Sequence, residues 1–111
     1  MIIRIDRLKW LRSDSDSMLL RSRDGKMCCL GQVGEACGIP LSELRETGDP
    51  LGVSESFRYL FPKFLFSKKK DIQGHLMSVN DDTNLTQEPE KERIIEETFF
   101  REAGIIIEFI N

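Results

Sequence analysis

Between residues 87 and 110 the chain switches periodicity once, and that switch constrains the fold more than any other feature. Ile94, Ile95, Phe99, Phe100 and Ala103 give residues 87–103 a broad apolar arc at helical spacing. Thr86 is read as the N-cap, Glu88 and Glu90 suit the positive end of the helix, and Pro89 is tolerated in a first turn. Gly104 closes the helix. Ile105, Ile106, Ile107, Phe109 and Ile110 follow as a β-branched run, too short for another helix and strongly strand-forming. A helix and a strand joined this tightly predict an α+β domain.

The rest of the chain supplies partners for that pair. Residues 2–6 read as a strand, with Leu8, Trp10 and Leu11 as apolar anchors, and 13–17 as a polar loop. Residues 18–22 read as a second strand ending in an Asp24-Gly25 turn. Cys29, Leu30, Val33, Ala36 and Cys37 share one face of a helix over 27–37, stopped by Gly38 and Pro40. Gly31 and Gly34 inside it each cost about 1 kcal/mol relative to alanine. Close approach of another backbone explains them better than close approach of a ligand.

Residues 41–46 form a short helix, and Ser54 caps a helix over 55–65 that Pro62 restricts or breaks. Phe57, Tyr59, Phe61, Phe64 and Phe66 crowd that segment and read as core, with a partner-binding patch as the alternative. Residues 67–71 are a basic loop, and Leu76, Met77 and Val79 a brief apolar element ending at Asn80-Asp81-Asp82. The expected architecture is one domain over 1–111: a sheet of strands 2–6, 18–22 and 105–110, packed on one face by helices 27–37, 55–65 and 87–103. Pairing of the first and last strands should bring the termini together.

Composition narrows the function classes. Sixteen basic against nineteen acidic residues give a net charge of −3, so no direct nucleic-acid binding is expected. Apolar runs are far shorter than the roughly 20 residues a membrane span needs. Arg4, Asp6 and Arg7 interrupt the stretch where a signal peptide would be apolar, so a cytoplasmic location is expected. Cys28, Cys29 and Cys37 are an odd set with two neighbours, a poor disulfide framework, and their spacing matches no common zinc pattern. They read as reduced, buried, small apolar side chains. No metal and no cofactor are expected. Residues 1–70 carry an excess of base and 71–111 an excess of acid, most of it on the last helix, which reads as a solvated face or an acidic docking surface.

Trp10-Leu11-Arg12, Leu19-Leu20-Arg21, Asp24-Gly25-Lys26, Cys28-Cys29-Leu30-Gly31, Ala36-Cys37-Gly38, Met77 with Asn80-Asp81-Asp82, and Gly104-Ile105 occur in that order. Together they resemble a family of small proteins from bacteriophages, prophages and related mobile elements that carries no assigned activity. The resemblance covers nearly the whole chain, least distinctively over 41–72. It implies an accessory protein acting in the cytoplasm of a bacterial host, with anti-defence activity as the preferred role.

The leading candidate site is a basic cradle of Arg12, Arg21, Arg23 and Lys26. A helix starting just past Gly25-Lys26 would aim free N–H groups at an anion, and arginine's fork suits phosphate. The spacing is not that of a P-loop. The competing account is that Asp14, Asp16 and Asp24 neutralise these cations. Asn80, Asp81 and Asp82 form a secondary polar cluster, read as local capping or as a ligand or divalent-metal contact, and the EF-hand pattern fails there. Glu96 beside Phe99 and Phe100 is a candidate for a raised pKa, and His75 reads as an exposed loop residue. The expected function is non-enzymatic sequestration of an anionic nucleotide-like signal by the cradle, which could lie at a homo-oligomer interface. The alternative is inhibition of a host protein through segment 57–66 or the acidic C-terminal helix. A third is a metal-dependent nucleotide hydrolase using Asp81 and Asp82.

Overall fold

The chain closes on itself through its first and last strands. In the computed structural model, which describes residues 1–14, 16–83 and 88–111, β1 (Ile2–Asp6) pairs in parallel with β2 (Ile106–Ile110). The register sets Ile2 opposite Ile106 and Asp6 opposite Ile110. Because the pairing is parallel, the two ends of the chain lie at opposite ends of the ribbon instead of together. Met1 O accepts from Ile106 N, while the Asn111 amide donates to the Asp6 carboxylate.

Five α-helices stand between the strands: α1 (Cys29–Ala36), α2 (Leu41–Leu44), α3 (Glu55–Arg58), α4 (Ile72–Asp81) and α5 (Glu88–Ala103). The fold is α+β, and helices α1 and α5 lie against β1 and β2 respectively. Ile3, Ile5 and Ile107 turn into the core; Ile2, Arg4, Ile106, Glu108 and Ile110 turn out. Phe64 meets Phe99 edge to face at 5.2 Å, and Trp10 lies 5.0 Å from Phe109.

Four expectations need correction. Residues 18–22 are not a strand of the sheet, which has two strands among the described residues. Leu20 makes one isolated bridge to Arg45, after which the chain turns back, Arg21 N donating to Lys26 O. Helix 27–37 begins at Cys29, because Met27 is held in an extended bridge to Trp10.

The expected helix 55–65 is α3 plus a separate 3-10 turn, Lys63–Phe66. Pro62 between them has no N–H to continue the ladder. Conversely, residues 72–81 form a full helix where a loop and a brief apolar element were expected, and exposed His75 sits on it. Asp71 starts it by accepting from Gly74 N. Thr86, read as the cap of the last helix, and Gln87 lie outside the described residues. Gly104 takes φ +65°, reversing the chain from α5 into β2.

Candidate functional site

Arg21 was expected to offer its fork to an anion, and its side chain is 7% exposed. Nε and Nη2 grip the two carboxylate oxygens of Asp24 at 3.2 and 2.7 Å, and Nη1 donates to Asp14 Oδ2 at 3.0 Å and Asp16 O at 3.3 Å. This clasp is possible because Gly25, at φ +72°, folds the turn back under Arg21. The guanidinium, helped by the Lys26 N–H, pulls the Asp24 carboxyl down to about 2. Arg21 itself is raised, chiefly by Asp24 and Asp14. Arg23 is exposed and lies 3.6 Å from Asp16. Arg12 leaves the turn altogether, stacking 4.8 Å over Trp10 and pairing with Glu88 of α5 at 3.1 Å. Lys26 is exposed at the tip.

The helix end that was to complete the cradle is also taken. Cys28, Cys29 and Leu30 at the start of α1 are buried, and Cys29 N donates to Asn80 Oδ1 at 3.0 Å. A phosphate at this turn would have to displace Asp14 and Asp24 from Arg21 and could not reach the N–H groups of α1.

Asn80 is fully buried, and its amide knits three segments together. Its Oδ1 also accepts from Trp10 Nε1 at 2.7 Å, and its Nδ2 donates to Leu11 O at 2.8 Å and to Asp81 Oδ1 at 2.9 Å. Its backbone oxygen accepts from Ser13 N and from the ammonium of Lys91. Lys91, on α5, is fully buried as well. It donates to the Ser13 hydroxyl and to the carbonyl of Asp82, and Ser13 in turn donates to Glu88. Sequence reasoning missed this lysine because its charge argues for solvent, although helical spacing sets position 91 on the same face as Ile95 and Phe99. Among the described residues no group of three or more His, Cys, Asp or Glu side chains stands close enough to hold a metal ion.

Burial disfavours the thiolate at all three cysteines, least at part-exposed Cys37. Burial pushes the Cys28 thiol up to about 11 and Cys29 well above its ordinary value. The aromatic segment is largely spent on packing: Phe61 is buried against Gly34, Phe66 meets it edge to face, and only Tyr59 stands out, 74% exposed. An open cleft of about 440 Å³ lies between Leu51, Leu65, Phe66 and Met77, with Lys68 and Lys70 at its rim. Its carboxylates, Asp49 and Asp71, are taken up in accepting backbone N–H groups.

What remains is the outward face of the terminal ribbon. Exposed Met1, Ile2, Phe100 and Ile106 gather at one end of it, Ile110 lies at the other end beyond the Arg4–Glu108 ion pair, and exposed Leu8, Leu41, Leu51 and Tyr59 are scattered over other segments. Phe100 and Ile106 form a slot of about 280 Å³ with Glu96, Glu97 and Ile107. Glu96 is held above the usual carboxylate range by desolvation and by Glu92 and Glu97, with Arg7 acting against them. The expected apolar arc of the last helix is thus narrower than its composition suggests: Ile95 and Phe99 face in, Phe100 faces out. No helix among the described residues is long and apolar enough to cross a membrane. Comparison of the chain with protein-family models, with curated proteins and with solved structures returns no match.

Proposed function

We propose that this protein is a non-enzymatic docking module whose outward ribbon face and α5 bind a partner protein. One observation carries the reading. Parallel strands are ordinarily covered on both faces, yet one end of this ribbon's outward face exposes Ile2 and Ile106 beside a 64% exposed Phe100, bounded by the Arg4–Glu108 ion pair. The acidic helix was one of two surfaces expected for an inhibitor of a host protein, and the other, segment 57–66, is mostly core. Sequestration of an anionic signal at the cradle finds less support, because Arg21 already holds two carboxylates. The resemblance to small phage and prophage proteins makes a bacterial host protein the partner class to test, with blocking of a defence factor as the role.

A photo-crosslinking amino acid placed at position 100, and separately at exposed position 59, tests this in bacterial cells. The expected result is one discrete adduct from position 100 that disappears when Ile106→Asp is added, and none from position 59. No adduct at 100, or the same adducts from both positions, overturns the reading.

A further inference from the structure

Hydrogen-bond parity decides which backbone groups the ribbon leaves over. Ile106 N donates to Met1 O and Arg7 N donates to Ile110 O, so residues 106, 108 and 110 direct both backbone groups toward β1. Ile107 and Phe109 therefore direct theirs to the opposite edge. Phe109 O is taken by the Arg7 guanidinium at 3.3 Å. The Ile107 N–H, the Ile107 C=O and the Phe109 N–H have no partner among the described residues. The outer edge of β1 likewise leaves Ile2 and Arg4 without a backbone partner among the described residues, but it is closed at its Asp6 end. There the Gln32 side-chain amide occupies both groups of Asp6, as a neighbouring peptide would, at 2.8 and 3.0 Å.

The open edge of β2 borders the slot of Glu96, Glu97, Phe100, Ile106 and Ile107. Its wall is acidic. Glu97 is offset by Arg93 at 3.1 Å, whereas Glu96 makes no ion pair among the described residues. An unpaired edge invites a strand, main-chain bonds supply affinity, and side-chain alternation supplies selection. We propose that the partner docks by adding an extended segment to the free edge of β2, with basic residues toward Glu96 and Glu97 alternating with apolar ones against Phe100 and Ile106. This rests on the docking-face reading above and names the partner's chemistry.

The test uses the full chain and three synthetic heptapeptides: alternating lysine and isoleucine, alternating glutamate and isoleucine, and the lysine peptide N-methylated at every second residue. The readouts are fluorescence anisotropy and amide hydrogen exchange. The lysine peptide is expected to bind and to slow exchange at Ile107 and Phe109 at least tenfold. The glutamate and N-methylated peptides should do neither, and Glu96→Gln should weaken the lysine peptide several-fold while leaving the fold unchanged. Equal binding of the N-methylated peptide overturns strand addition, as does protection that maps away from β2. Concentration-dependent protection of Ile107 and Phe109 without peptide would make the occupant a second copy and overturn the proposal too. In each of these cases a position-100 adduct would still stand for the docking face. Its absence together with peptide binding would instead fault the partner reading alone.

Discussion

A single amide, that of Asn80, satisfies the indole of Trp10, the first N–H of α1 and the carbonyl of Leu11. Each buried polar group left unpaired costs about 1–3 kcal/mol. Asn80→Ala is therefore expected to lower unfolding free energy by about 3 kcal/mol or more. Asp81→Ala removes one part-exposed acceptor of that amide and should cost less, about 1 kcal/mol. Urea denaturation distinguishes the two. The N-D-D cluster was legible as polar residues at an element's end; that its first member faces the core was not, because nothing local distinguishes a buried asparagine from a capping one. The Asp24-Gly25 turn and the pairing of nearby aspartates with these cations were legible too; which two carboxylates would meet the Arg21 fork was not.

The same clasp fixes a pH window. Asp24 is held near 2, below its ordinary 3.8, so its stabilisation is present above about pH 4 and is lost as pH falls toward 2. Melting temperature should therefore drop over that interval, and Asp24→Asn should flatten the drop while lowering the neutral-pH value. Glu96 works in the opposite sense. Its raised pKa favours the folded state as pH falls toward 4.5, so Glu96→Gln should stabilise slightly at neutral pH.

At the scale of elements, α1 is set against a backbone. A Cβ on Gly31 would lie 1.8 Å from Leu19 O, whereas one on Gly34 would meet only the side chains of Phe61 and Leu44 at 3.0–3.2 Å. Alanine gains about 1 kcal/mol in helix propensity over glycine. At Gly31 that gain cannot offset a collision with main chain, so Gly31→Ala should lose several kcal/mol, the scale of other severe packing faults. Gly34→Ala should be milder, since rings can shift. Thermal melts of the two variants check the order.

The close-approach reading of Gly31 was thus available from helix propensity alone, as were α5 and β2 from the switch at Gly104. Helix α4 was not legible, because its buried positions, Ile72, Leu76 and Asn80, end on a polar residue and enclose Gly74 and His75. The break at Pro62 was visible, though not that residues 63–66 would tighten into a 3-10 turn.

For the molecule as a whole, the ribbon is the closure. Ile3, Ile5 and Ile107 carry its inner face into the core, and Arg7 fastens its far end by gripping both Glu92 oxygens at 2.9 and 2.7 Å while reaching Phe109 O. Truncating one such buried side chain to alanine costs about 2–5 kcal/mol, against a total of about 5–15 kcal/mol for an ordinary domain. Deleting residues 1–6 removes Ile3 and Ile5 together. Differential scanning calorimetry of that truncated chain is expected to show no cooperative transition, whereas Ile2→Ala, on the outer face, should melt within a few degrees of the parent.

Pairing residue 2 with residue 106 also imposes an order of events during synthesis. Ile2–Asp6 leaves the ribosome ahead of Ile106–Ile110 and waits, apolar and unmatched, until that strand has followed it out. Over that interval the nascent chain must rely on chaperones or on its own helices for cover, and any interruption of translation before residue 106 strands a sticky ribbon-half in the cell.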